Sequence, residues 1–198
     1  MNYTGDEMDL KDIKKKVKKS MDKQRYDHTK GVMYTAGCLA MANEYPIDKA
    51  MLAGLLHDCA KCIPNNEKID ICRKHDILVS QVELDNPGLL HAKAGMVLAE
   101  EEYQITDPDI LHSIKVHTTG EPGMNMLDKI IFVADYIEPY RNKAVNLDAI
   151  RYLAFTDIDK AVLQILNDTI NYLNKKANPI DGITLKTYNF YKTQTNLK

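Results

Sequence analysis

The sequence predicts an all-α fold built as a single domain, and three observations lead there. Apolar residues recur at three- and four-residue spacing along nearly the whole chain. Prolines, glycines and capping residues punctuate these stretches where helices start and stop. Alternating runs of the kind that make half-buried strands are nearly absent, as are repeats and low-complexity linkers. At 198 residues the chain is long enough for one well-buried core.

Taken in order, Met8, Leu10, Ile13, Val17 and Met21 alternate with lysines and predict an amphipathic surface helix. Its lysine run, Lys14 to Lys16 with Lys18 and Lys19, reads as the solvated side rather than a nucleic-acid patch. Residues 1–22 are therefore expected to form an N-terminal helical extension, and 23–198 the main domain. A second helix is expected from about Tyr26 to Glu44, and a third, opened by Pro46, from Ile47 to Ala60. Asn65-Asn66 offers an N-cap for a short helix through Cys72. Asn86-Pro87-Gly88 is turn chemistry ahead of a helix from Leu89 to about Tyr103. Thr106-Asp107-Pro108 starts the next, which Gly120 stops, and another runs from Asn125 to Ile137 before Pro139. Ile158, Ala161, Val162, Ile165, Leu166 and Leu173 line one face of a long helix that ends near Asn178-Pro179 and Gly182, with a short tail beyond.

Hydrophobic residues make up 44% and charged residues 27%, ordinary proportions for a globular protein. A net charge of −2 gives no reason to expect a nucleic-acid polymer or an anionic membrane as partner. The first residues lack an apolar signal core, and no apolar run approaches the roughly 20 residues of a membrane helix. A cytoplasmic protein is the expectation. Cys59 and Cys62 form a C-x-x-C, but Cys38 and Cys72 do not supply the second such pair that a structural zinc would take. All four cysteines are read as small hydrophobes in a reducing compartment.

The chemistry concentrates in Ala53-Gly-Leu-Leu-His57-Asp58. A carboxylate that follows an apolar run into the interior costs several kcal/mol, roughly, unless a cation or hydrogen bonds compensate it. Asp135, after Ile130-Ile-Phe-Val-Ala134, has the same need, which a salt bridge would answer as well as a metal. His28, His91 and His117 also sit at helix ends or on buried faces. Asp27 beside His28 is suited to capping the helix or to orienting that imidazole. His75 and His112 read as bystanders, hydrogen-bonded or exposed. Imidazole and carboxylate donors without thiolate suit six-coordinate iron or manganese better than a closed zinc site. Two such ions sharing a carboxylate, roughly 3.5–4 Å apart, are a common device for activating water against phosphorus.

The order His28, His57-Asp58, Asp135 resembles the H…HD…D signature of the HD-domain metal-dependent phosphohydrolases. Arg25-x-x-His28, His57-Asp58-x-Ala60-Lys61, His91-x-x-x-Gly95, Val116-His117-Thr118-Thr119-Gly120 and Ala134-Asp135-Tyr136-Ile137-Glu138-Pro139-x-Arg141 are similar to the YqeK-type family of bacterial symmetrical dinucleoside tetraphosphatases. The likeness spans about Tyr26 to Tyr191, and Asp181-Gly182 departs from it where a more basic approach is the pattern.

The resemblance implies a single HD-domain helical bundle in which metal-activated water cleaves diadenosine tetraphosphate into two ADP. It implies two transition-metal ions, iron first and manganese as the alternative. His28, His57, Asp58 and Asp135 would hold one ion, and His91 and His117 the other, with Asp58 bridging. Asp58, Lys61, His91 and His117 would be catalytic, and Arg25, Lys61, Thr118, Arg141 and Thr184 would contact the nucleotide. The partners implied are the dinucleotide and its nucleoside diphosphate product; the oligomeric state stays open, a homodimer included. The rival readings are an HD phosphohydrolase acting on deoxynucleotides or cyclic dinucleotides, and a non-catalytic nucleotide-binding module. The absence of a Walker-type loop and of a Gly-x-Ser-x-Gly elbow argues against a P-loop enzyme and a serine hydrolase.

Overall fold

The computed structural model describes residues 9–196; Met8, assigned above to the first apolar face, lies outside them. The helices are α1 (Leu10–Ser20), α2 (Lys23–Ala42), α3 (Ile47–Leu56), α4 (Asn65–Lys74), α5 (Gln81–Asp85), α6 (His91–Tyr103), α7 (Pro108–Val116), α8 (Met126–Ile137), α9 (Leu147–Thr156), α10 (Ile158–Lys175) and α11 (Gly182–Asn196), with a 3-10 turn at Pro87–Leu90. Among the described residues there is no strand.

The apolar helix α8 is the central post. Leu127, Ile130, Ile131, Phe132, Val133 and Ala134 are all buried there. It packs against α2 on one side, α7 on another and α10 on a third, while α3 lies against α2 and α7. Asn125 and Asp128 form a reciprocal capping box that fixes where this post begins. From α1, Ile13 and Val17 enter the same core. Lys11, Lys15, Lys18 and Lys19 are exposed, while Lys14 is half-buried and the Lys16 ammonium donates to the Glu102 carbonyl at 2.6 Å. No helix among the described residues is long and apolar enough to cross a membrane.

The structure corrects several sequence-based boundaries. α2 starts at Lys23, because the Asp22 carboxylate accepts from the Arg25 N–H at 2.8 Å and caps it. α3 ends at Leu56 rather than Ala60. The Gly54 carbonyl that would continue the helix instead accepts from His57 Nδ1 at 2.8 Å, and residues 57–62 go on as tight turns. Pro64, not Asn65, occupies the cap position of α4, and Asn65 Oδ1 accepts from the Lys68 ammonium at 3.2 Å. Leu89 lies in the 3-10 turn, and the regular helix begins at His91. Helices α5 and α9 were not expected, and the supposed tail is α11, which buries Thr184, Thr187 and Tyr191.

Candidate metal centre

Three of the four clustered histidines stand at helix ends. His57 follows α3, His91 opens α6 and His117 follows α7. Each turns its Nδ1 back onto the carbonyl three residues earlier: Gly54 at 2.8 Å, Gly88 at 2.7 Å and Ile114 at 2.7 Å. A carbonyl can only accept, so Nδ1 carries the proton and each Nε2 presents a lone pair. His28 lies inside α2, where the carbonyls are committed to the helix, and its Nδ1 donates to Glu138 Oε1 at 3.1 Å.

All four Nε2 atoms converge on two carboxylates. Asp58 Oδ2 lies 3.6 Å from His57 Nε2 and 3.9 Å from His28 Nε2. Its Oδ1 lies 3.2 Å from His91 Nε2 and 3.7 Å from His117 Nε2. Asp135 Oδ1, from α8, is 3.0 Å from His28 Nε2 and 3.9 Å from His57 Nε2. Three overlapping sets therefore have the reach to hold an ion: His28, His57 and Asp58; His57, His117 and Asp135; Asp58, His91 and His117.

The donor set fits a cation on its own chemistry. His28 Nε2 and His57 Nε2 are buried without a hydrogen-bond partner, an unfavourable state for a basic nitrogen that a metal ion would relieve. His91 Nε2 and His117 Nε2 face each other at 3.2 Å with both protons held on the far nitrogens, so two lone pairs oppose, and the Lys61 ammonium, 3.1 Å from His91 Nε2, answers only one of them.

Protonation differs across the set. Burial pushes His57 down to about 4 and also lowers His91, keeping both imidazoles neutral as ligands must be. His28 is raised: burial pulls it down, but the Asp135 and Glu138 carboxylates outweigh that. Burial would raise Asp58, yet His57, His117 and His91 hold it well below the usual carboxylate range. Asp135 is lowered likewise, with burial overcome by His28, His57 and Arg141.

Cations ring the cluster. Arg25 Nη1 lies 2.7 Å from Asp58 Oδ2, and Arg141 Nη2 lies 2.9 Å from Asp135 Oδ1. Their side chains stay 31% and 45% exposed, so each pairs with a carboxylate of the cluster while remaining partly open to solvent. The Lys61 ammonium is 3.1 Å from His91 Nε2, and burial lowers its pKa. Thr118 is half-buried directly after His117. Thr184 is buried in the first turn of α11, and among the described residues no side-chain hydrogen bond joins it to the cluster.

The remaining candidates fall outside. Asp27 neither caps α2 nor reaches His28; it pairs with Lys30 at 2.9 Å, one helical turn on. His75 pairs with Glu101 at 3.2 Å, and His112 bridges Glu121 and Asp128, both at 3.0 Å. All four cysteines are free, and burial pushes the Cys59 thiol up to about 12, so it is an inert apolar group. Three contributors had no role in the sequence reading. Glu138 holds His28. Arg151 donates to the carbonyls of Ile137, Glu138 and Arg141. Lys68 is a buried ammonium resting on the Lys61 carbonyl at 3.2 Å and on Asn65. In the sequence, Glu138-Pro139 had marked a helix end and part of the family motif, without a role for the Glu138 side chain.

Comparison with known proteins agrees with this geometry. The HD domain model matches residues 25–140, from Arg25 to just past Glu138. The symmetrical bis(5'-nucleosyl)-tetraphosphatase of Bacillus subtilis (strain 168) is 40% identical over 88% of this chain and 92% of its own length. The protein of the same name from Halalkalibacterium halodurans is 43% identical over 87% of this chain and 91% of its own. A crystal structure from Clostridium acetobutylicum, described as a predicted HD superfamily hydrolase involved in NAD metabolism, superposes with a TM-score of 0.92. It is 35% identical and covers 96% of this chain and all of its own. Likeness of this extent, centred on the helices that carry the cluster, shows that the chain belongs to the HD-domain family of symmetrical bis(5'-nucleosyl)-tetraphosphatases.

Proposed function

We propose that this protein is a metal-dependent phosphohydrolase that splits diadenosine tetraphosphate with water into two molecules of ADP. The observation that carries the reading is Asp58, whose two oxygens face different imidazole pairs, His28 with His57 and His91 with His117. A carboxylate addressed from both sides suits two ions sharing a bridge. We assign His28, His57, Asp58 and Asp135 to one ion, and Asp58, His91 and His117 to the other. The thiolate-free donor set suits iron or manganese, and we take iron first because the family resemblance implies it. When bound, such ions supply Lewis acidity toward water and toward phosphate oxygens.

The chain's own residues bind and orient the substrate. Arg25 and Arg141, partly open to solvent, offer N–H groups to the polyphosphate, where charge-assisted hydrogen bonds are strongest. Lys61, beside His91, faces the negative charge that builds on the departing phosphate. Thr118 and Thr184 are assigned as further nucleotide contacts. The water oxygen joins one inner phosphorus, the bond from that phosphorus to the central bridging oxygen breaks, and the second ADP leaves with that oxygen. Both protons of the water are released to solvent as the two new terminal phosphates ionise near neutral pH. The position of the cut is carried over from the relatives' names; the geometry supports attack on a phosphate chain. Residues 1–22 are taken as an N-terminal extension, helical over Leu10–Ser20, to the domain that carries the site. Free cysteines fit the reducing cytoplasm, where we place the protein.

Chromatography of the products from diadenosine tetraphosphate tests the reading. ADP alone supports it, whereas ATP with AMP overturns symmetric cleavage. NAD, a dinucleotide with a two-phosphate bridge, belongs in the same panel because the solved relative's description mentions its metabolism. Turnover of NAD in preference to the tetraphosphate would redirect the assignment.

A further inference from the structure

We infer that Glu138 is a positioning residue that fixes the His28 ring for the ion assigned to His28, His57, Asp58 and Asp135, and that Gly31 is the space kept open for it. This rests on the two-ion reading above and goes beyond it by assigning a residue outside the ligand set.

His28 has a problem that the other three histidines do not. They stand at helix ends and anchor Nδ1 on a nearby carbonyl, but His28 is in the interior of α2, where the carbonyls are taken by the helix ladder. Its acceptor must come from another element. Glu138, just after α8, supplies it: Oε1 accepts from His28 Nδ1 at 3.1 Å and Oε2 accepts from the Tyr140 N–H at 2.8 Å. Glu138 is only 1% exposed, and among the described residues no lysine or arginine lies within ion-pair distance of it. A carboxylate buried on those terms needs the histidine as much as the histidine needs it.

Two further observations show that the surroundings are built around this contact. Gly31 sits one helical turn after His28, and a Cβ there would collide with the Glu138 carboxylate. Glycine weakens a helix interior relative to alanine, so a glycine at this spot fits a need for space. The turn that carries Glu138 is also held from outside. Arg151, on α9, donates to the carbonyls of Ile137 at 3.2 Å, Glu138 at 3.3 Å and Arg141 at 3.1 Å. With Nδ1 fixed, His28 Nε2 is aimed between Asp135 Oδ1 at 3.0 Å and Asp58 Oδ2 at 3.9 Å. A carboxylate behind an imidazole also makes its far nitrogen a better donor to a cation.

The experiment is a metal count and metal titration on the full chain, with melting of the metal-free proteins as the fold control and turnover as a second readout. Wild type should hold two ions. Glu138→Ala should weaken one of them about tenfold to a hundredfold, the loss typical of removing such a partner, and leave the other within about twofold. Glu138→Gln, which keeps an acceptor oxygen, should fall between. Gly31→Ala should reproduce the Glu138→Ala defect by displacing the carboxylate. The double variant Gly31→Ala/Glu138→Ala should be no worse than Glu138→Ala alone, since the collision is gone. Both ions unaffected in Glu138→Ala, both weakened equally, or defects that simply add in the double variant would overturn the assignment. A wild type with a single ion would refute the two-ion reading instead, and Glu138 would then stand or fall on whether Glu138→Ala weakens that ion.

Discussion

The two sides of Asp58 are built by different means. On the Oδ1 side, His91 and His117 are held by backbone carbonyls at helix ends and are almost wholly buried, at 2% exposure each. On the Oδ2 side, His28 and Asp135 are held by side chains, through Glu138 and Arg141, with Arg25 on Asp58 itself. The side chains of His28 and Asp135 are 12% and 21% exposed. One half is thus set wholly by the fold, while the other joins His57, fully buried and anchored on the Gly54 carbonyl, to His28 and Asp135, which charged side chains hold from outside. The charged half is the one that opens to solvent, which is where a polyanion would enter. It is also the half that single substitutions away from the ligands should perturb.

Removing the shared element should have the largest effect. Asp58→Ala takes a donor from both halves, and turnover of diadenosine tetraphosphate should fall by at least about a thousandfold, the upper range for losing one group that stabilises transition-state charge. Both ions should be lost from the purified variant by elemental analysis. Retention of either at wild-type affinity would show that the halves do not share Asp58.

A smaller effect, confined to the charged half, is expected from Arg141→Ala. The Michaelis constant for diadenosine tetraphosphate should rise about tenfold or more, matching roughly the 1.5–3 kcal/mol of a charge-assisted hydrogen bond. Turnover of p-nitrophenyl phosphate should change little. Equal losses on both substrates would mean that the hold on Asp135 at 2.9 Å is the main role of Arg141.

Much of the candidate cluster was legible in the sequence, because its donor residues sit in short local motifs. His57-Asp58 and Asp135 each followed an apolar run, and the structure brings both together with His28, His91 and His117. What holds the ligands was not legible. Glu138 lies 110 residues from His28, and the carbonyls of Gly54, Gly88 and Ile114 carry no side-chain signal. The fold was readable where helices bury aliphatic stripes, as in α8 and α10. It failed where burial is not aliphatic. α11 turns Thr184, Thr187 and Tyr191 inward, which reads as a polar tail. α9 buries Ile150 and Ala154 but exposes Tyr152 and Phe155, so no single apolar stripe marks it.

The smallest effects should come from the histidines outside the cluster. His112→Ala should leave turnover within about twofold but lower the melting temperature by about 2–12 °C. It strips the 3.0 Å partner from the buried Asp128 carboxylate, at a cost of about 1–3 kcal/mol. His75, paired with Glu101 near the surface, should be silent in both measurements when changed to alanine. A turnover loss in either variant comparable to that of Asp58→Ala would erase the line between ligands and bystanders.

Anomalous diffraction from crystals of the metal-loaded protein, recorded at the iron and manganese absorption edges, tests the central claim most directly. Two peaks are expected, one among His28, His57 and Asp135 and one beside His91 and His117, with Asp58 between them. A single peak, or two that leave either histidine pair without a metal neighbour, would contradict it.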